Sequence, residues 1–247
     1  FTCPNHAGDQ MNGYILKPTN FDPSKRYPVV MSQYSGPGSQ SVLDKWTIDW
    51  EYYLVSKGFI VACVDGRGTG GRSRAYETSV YMQLGKLETE DQVAGAEYMR
   101  TLPYVDGKHI GIYGWSYGGY ETLMAMSTSN GTYQAGVAIA PVTDWRYYDT
   151  IYAERFMRTP NENNEGYEQS APITHAEKLK GDLLIISGTA DDNVHYLNTL
   201  QYSAALIEAG IQFDTQIYTN KDHHIRGCNT RHHLYTKVCN FFLDKLK

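Results

Sequence analysis

The sequence predicts an α/β fold, a mostly parallel central sheet with helices on both faces. Two observations carry that prediction. Short apolar, β-branched runs recur along the chain, and stretches of helical period lie between them. A third is negative: neither an internal repeat nor a low-complexity linker interrupts the alternation.

Taken in order, a strand is expected near 11–17 (MNGYILK), antiparallel at the sheet edge and set off by the loop from Pro18 to Pro28. Six further strands come at 28–34 (PVVMSQY), 59–65 (FIVACVD), 109–114 (HIGIYG), 135–142 (AGVAIAPV), 182–188 (DLLIISG) and 213–219 (FDTQIYT). Most are nearly continuous in apolar character, and all read as buried strands. Helices are expected near 46–57, 87–102, 117–129, 144–157, 193–209 and 230–246. The polar, turn-rich segment 158–173 (RTPNENNEGYEQSAPI) reads as a surface excursion.

A chain of 247 residues fits one large α/β unit better than two small ones. Its net charge of −5 argues against nonspecific binding to nucleic acid or an anionic membrane, and no stretch is long and apolar enough to span a bilayer. The chain opens at Phe1 without an initiator Met or a basic leader, and so reads as mature, processed or excised. Cys3, Cys63, Cys228 and Cys239 are too few and too scattered for a disulfide scaffold, which leaves the redox compartment open. Tyrosine, at 21 residues, is the compositional anomaly and suggests an aromatic-lined surface or pocket. Asn130-Gly131-Thr132 matches a glycosylation acceptor, although a turn after a helix explains Asn-Gly equally well.

Three constellations could carry chemistry. Gly66, Gly68 and Gly71 satisfy G-x-G-x-x-G after a strand, but the polar RSRAYETSVY beyond them lacks the amphipathic helix a dinucleotide needs, so a structural loop is expected. His223, His224, Cys228, His232 and His233 crowd together without a standard zinc spacing, and no metal is expected there. The third is GIYGWSYGGYETLMAM, residues 111–126, where Gly114-Trp115-Ser116-Tyr117-Gly118 is a G-x-S-x-G turn between a strand and an apolar helix. That context is the one a nucleophile elbow requires. Small residues on either side of the serine let neighbouring backbones approach, and the Tyr117 amide points to where an oxyanion would form.

A bare elbow is a weak signal, so an acid and a histidine must come after it in chain order, each in a loop at the carboxyl end of a later strand. After DLLIISG comes TADDNVH, offering Asp191 and Asp192; after FDTQIYT comes NKDHHIRG, offering His223 and His224. His6, His109 and His175 fail on chain order, His195 reads as part of the helix beside Asp191, and His232 and His233 belong to the last helix. Such a set makes Ser116 the nucleophile, a histidine its base, and a carboxylate the group that holds the imidazole tautomer. Trp145, Tyr148 and Tyr152, at i, i+3 and i+7, share one face of the expected helix, as core or as a pocket wall.

With those residues in place, GWSYGGY, GTADDNVH, DGRGTGG, QYSGPGSQ and APVTDWRYYDTIYAERFM together resemble the catalytic domain of the prolyl oligopeptidase family, in its dipeptidyl-peptidase branch, from about residue 11 to the C-terminus. The resemblance implies an α/β-hydrolase fold over a single peptidase domain, residues 1–247. It selects Asp191 and His223 as the partners of Ser116, and makes the Tyr34 hydroxyl a second oxyanion donor beside the Tyr117 amide. It groups Tyr117, Val142, Trp145, Tyr148, Tyr152 and Val194 around a flat pocket for proline. Asn193, otherwise a helix N-cap, would bind the carbonyl of the P2 residue.

The activity this resemblance implies is release of N-terminal dipeptides with Pro or Ala in second position, without cofactor or metal. Acylaminoacyl-peptidase, oligopeptidase or esterase activity on the same fold is the alternative, as is a noncatalytic interaction role. Relatives carry a β-propeller domain that is absent from this chain, and in dipeptidyl peptidases two propeller glutamates bind the substrate's amino terminus. Expected partners are therefore penultimate-Pro or -Ala peptides, that propeller, and a second copy in a homodimer. The resemblance favours a secreted, periplasmic or cell-surface location.

Overall fold

The computed structural model describes all 247 residues. Eight strands form one sheet: β1 (Thr2–Pro4), β2 (Gln10–Leu16), β3 (Tyr27–Ser32), β4 (Ile60–Asp65), β5 (Val105–Trp115), β6 (Ala135–Ile139), β7 (Asp182–Gly188) and β8 (Asp214–Tyr218), in spatial order β1-β2-β4-β3-β5-β6-β7-β8. The pairs β1/β2 and β2/β4 are antiparallel, and every other pair is parallel. The family fold expected from the serine turn, an α/β-hydrolase sheet flanked by helices, is the one observed.

Strand alternation sorts the core into two layers. From β3, Val29 and Met31 face one layer and Val30 the other; from β7, Leu183 and Ile185 face one, Leu184 and Ile186 the other. A period of two with both faces apolar is why these strands read as unbroken hydrophobic runs. The first layer is closed by α3 (Lys86–Thr101), α4 (Tyr117–Thr128) and α7 (Leu197–Glu208), through residues such as Met99, Leu123 and Leu206. The second is closed by α1 (Glu51–Ser56) and α8 (Thr230–Lys245), through Leu54, Val238 and Phe242. Three short helices, α2 (Arg74–Thr78), α5 (Thr150–Met157) and α6 (Asn164–Gln169), lie in the connections. No helix is long and apolar enough to cross a membrane.

Several expectations are corrected. The strand near 11–17 is antiparallel but not at the edge, because Thr2–Pro4 pairs outside it. The helix near 46–57 forms only over Glu51–Ser56. The stretch 144–157 is two elements, a 3₁₀ turn at Trp145–Tyr147 and then α5, since Asp144 caps the first through the Arg146 N–H and Asp149 restarts the chain by accepting from the Tyr152 N–H. The helix expected from 193, α7, begins at Leu197, so neither Asn193 nor His195 is helical. The excursion 158–173 is less exposed than expected: it carries α6 and sinks Tyr167 and Ala171 into the interior.

Candidate active site

Strand β5 ends at Trp115 and α4 begins at Tyr117, so Ser116 alone makes the turn, at φ 60° and ψ −115°. That torsion is strained for a residue with a side chain, by roughly 1–3 kcal/mol. It persists because the surroundings fix it. The Ser116 N–H donates to the Ile139 carbonyl at 2.8 Å and the Ser116 carbonyl accepts from the Tyr120 N–H at 2.9 Å. A Cβ on Gly118 would lie 2.5 Å from the Gln33 carbonyl oxygen, and one on Gly119 would lie 2.6 Å from that of Ile139. The glycines are a steric requirement of the turn. The Tyr117 N–H, first in its helix, has no backbone partner and is free to meet an oxyanion.

The loops expected to supply the acid and the base meet. Asp191 Oδ2 and His223 Nδ1 are 2.8 Å apart, and both side chains are buried. Asp191 Oδ1 accepts from the N–H groups of Asn193 and Val194, each at 2.9 Å, so the carboxylate is pinned with one oxygen left for the imidazole. Asp192 and His224, the neighbours sequence order could not separate from them, are exposed. Trp115, immediately before the serine, donates its indole N–H to the His223 carbonyl at 3.0 Å, which ties the histidine loop to the elbow. The Asp191–His223 pair fixes the orientation of the imidazole.

Tyr34 lies just beyond β3 and is partly exposed. Its ring and Ser116 line the same pocket; burial raises its pKa and the serine opposes that rise. Gln33 anchors the segment by donating to the Gly118 carbonyl at 2.8 Å. Tyr34, Ser116, Tyr117, Val142, Trp145, Tyr148 and Tyr152 together line one small pocket. Trp145 and Tyr152 stack at 5.7 Å, and Tyr148 meets both edge-on at 5.9 and 5.3 Å. The three aromatics therefore converge across the break between the 3₁₀ turn and α5, not along one helix face. Val194 packs into the same cluster from the Asp191 loop. Asn193 stands beside it in a turn, where its Oδ1 accepts from the Tyr148 hydroxyl at 2.6 Å and its amide nitrogen remains available to a carbonyl.

Neither of the other two constellations contributes a residue to that pocket. Arg67, inside the glycine-rich loop, grips Asp91 with bonds of 2.6 and 3.1 Å, and the helix after the loop is only Arg74–Thr78. In the histidine cluster His223 serves Asp191 and His233 faces the Tyr218 hydroxyl at 2.8 Å. A wider groove lined by Met82, Lys86, Thr128, Asn130 and His175 holds none of the residues expected around Ser116. One participant escaped the sequence entirely: Glu88 of α3, buried beneath the pocket, accepts from the Tyr117 hydroxyl at 2.7 Å. An acid in the first turn of a helix carries no sequence signal that distinguishes it from a solvated one.

Comparison with known proteins bears on this arrangement. Over 231 residues the chain is 41% identical to dipeptidyl peptidase 4 of Sus scrofa, and 40% identical to prolyl endopeptidase FAP of Mus musculus; each match covers 92% of this chain and 30% of the relative. The crystal structure of Porphyromonas gingivalis dipeptidyl peptidase 4 superposes with a TM-score of 0.98 at 54% identity, over 100% of this chain and 35% of that one. The chain thus spans about a quarter to a third of the length of the curated relatives it matches. The prolyl oligopeptidase family signature runs over residues 46–247, through the serine turn, the Asp191 loop and the His223 loop. The chain belongs to the prolyl oligopeptidase family.

Proposed function

We propose that this chain is the catalytic part of a serine exopeptidase that releases N-terminal dipeptides with Pro or Ala in second position. The observation that carries the reading is a strained Ser116 in the lining of a small aromatic pocket, with a buried Asp191–His223 pair on the adjoining loops. Ser116 Oγ attacks the scissile carbonyl while His223 takes its proton and hands it to the leaving amine. Asp191 holds the imidazole through Nδ1, which leaves Nε2 to act as the base. The Tyr117 N–H and the Tyr34 hydroxyl receive the oxyanion, and water, activated by His223, then frees the dipeptide from Ser116.

The pocket supports the substrate class. Rigid rings on several sides suit a pyrrolidine, which has little entropy to lose, while a long or charged side chain would be desolvated without a partner. The Asn193 amide is available for the P2 carbonyl. The part of the longer protein outside this chain, a β-propeller in the family's manner, would read the substrate's free amino terminus and so limit the cut to dipeptides.

In the full-length protein, a fluorophosphonate probe should label Ser116, and Gly-Pro chromogenic amide should be hydrolysed while its acetylated form is not. Labelling absent from Ser116 overturns the nucleophile. Equal hydrolysis of both amides overturns the exopeptidase reading and favours an oligopeptidase or acylaminoacyl-peptidase.

A further inference from the structure

Beneath the aromatic pocket lies an acid that the mechanism above does not use. Glu88 stands in the first turn of α3, 1% exposed, and its Oε1 accepts from the Tyr117 hydroxyl at 2.7 Å. Its Oε2 has no hydrogen-bond partner. Leaving a buried carboxyl half-satisfied is expensive, and a phenylalanine over an aliphatic residue would fill the same volume without the penalty. The arrangement is therefore weak as core and needs another explanation.

Tyr117 supplies one. It is the residue after the nucleophile, its ring lines the pocket, and its N–H is the candidate main-chain oxyanion donor. The ring is hemmed in laterally: Tyr120 lies 5.1 Å away, Trp145 5.5 Å and Tyr34 6.1 Å. On a further side, a Cβ at Gly36 would come within 3.2 Å of Tyr117 Cγ. The covalent bond to Cβ fixes the near end of the ring, and its distal end can move only by swinging about the side-chain torsions. The bond to Glu88 is made at that distal end and opposes the swing.

We propose that Glu88 is a positioning residue for substrate selection: through the Tyr117 hydroxyl it sets the depth of the pocket's inner wall, and so the size of the ring the pocket accepts. The inference rests on the proline-pocket reading above and extends it to a residue that never touches substrate. α3 suits the task because the carboxyl sits in its first turn, where the helix N-terminus favours an acid.

The test compares kcat/KM for Gly-Pro and Gly-pipecolyl amides, whose rings differ by one methylene, in the full-length protein. The unsubstituted protein should prefer the five-membered ring by about tenfold or more, the range one methylene is worth in a tight apolar pocket. Glu88→Ala and Tyr117→Phe should each shrink that preference by about tenfold, mainly through KM, and the double substitution should shrink it no further than either alone. Glu88→Gln, which keeps an acceptor oxygen, should restore the preference to within about threefold. Should Glu88→Ala fail to fold, Tyr117→Phe, which deletes one oxygen, gives the same reading. Variants that lose thermal stability but keep the ring preference overturn the proposal alone, as do effects that simply add. An unsubstituted protein that hydrolyses neither amide overturns the proline-pocket reading and this inference with it.

Discussion

Two glycine-rich turns leave the sheet at its carboxyl end, one after β4 (Gly66–Gly71) and one after β5 (Gly114–Gly119), and they use glycine in opposite ways. In the first, the glycines themselves take the unusual torsions, at φ 92° for Gly68 and 79° for Gly71. In the second, the glycines clear space for close backbones and the unusual torsion falls on Ser116. A turn whose strain is absorbed by glycine is a finished structural element. A turn whose strain is loaded onto a hydroxyl-bearing residue aims that hydroxyl, and the packing around it has to hold the strain in place.

The sharpest way to break this contrast is chemical. Ser116→Ala and His223→Ala should each lower kcat by on the order of 10⁴ or more with substrate binding largely kept, because nucleophile and base act as a unit. His224→Ala, altering an exposed ring, should change kcat by less than about threefold. Steady-state kinetics on the three proteins decides it; a dominant loss in His224→Ala would move the base.

A smaller effect is expected beside the elbow. Tyr34→Phe removes one hydroxyl from a residue that lines the pocket with Ser116, and as an oxyanion donor its loss should cost roughly 10² to 10³ in kcat, about 3–4 kcal/mol. If the residue only packs, kcat holds and the thermal midpoint falls instead, by the equivalent of about 1 kcal/mol.

The same measurement on the other turn should invert. Arg67→Ala leaves Asp91 fully buried, with the Arg67 N–H and the Asn5 amide, at 2.6 and 3.3 Å, as its remaining partners. Stability should fall by about 3 kcal/mol, as when one member of a buried pair is removed. Per folded molecule, kcat should stay within a few-fold of its starting value. A loss in kcat comparable to that of Tyr34→Phe would mean the glycine loop takes part in the reaction.

How legible each turn was depends on the same physics. The elbow was readable because its demands are local: a strand, two glycines and a serine within six residues leave few alternatives. The order of acid and histidine was readable because the fold fixes which strand ends they occupy. Choosing Asp191 over Asp192, and His223 over His224, needed the family resemblance, since which neighbour turns inward depends on bonds such as Val194 N–H to Asp191 that form only on folding. The break at Tyr148 was hidden for a different reason. The aromatic spacing of Trp145, Tyr148 and Tyr152 imitates a helical stripe, and the two capping aspartates, Asp144 and Asp149, were outweighed by it. Strand β1, three residues long, is too short to show a period.

Helix α3 serves both turns, and this allows the finest comparison. Asp91 reaches the glycine loop and meets the Arg67 guanidinium; Glu88, one turn earlier, reaches the elbow and meets the Tyr117 hydroxyl, with Asp91 and Glu121 as the other acids around it. Burial pushes the Glu88 pKa up to about 7 from its usual 4.5, against the hydrogen bonds from Tyr117 and the first-turn amides. Between those two values the folded protein keeps a proton that the unfolded chain releases, so the unfolded state binds fewer protons and stability falls as pH rises. The fall begins near pH 4.5 and is complete above about 7. Glu88→Gln carries no proton to lose. Its stability relative to the unsubstituted protein should therefore climb by on the order of 3 kcal/mol across that window, from the size of the shift. Urea unfolding of both proteins at pH 5 and pH 8 reads this directly, and a difference that stays constant between the two would show that Glu88 does not titrate beneath the pocket.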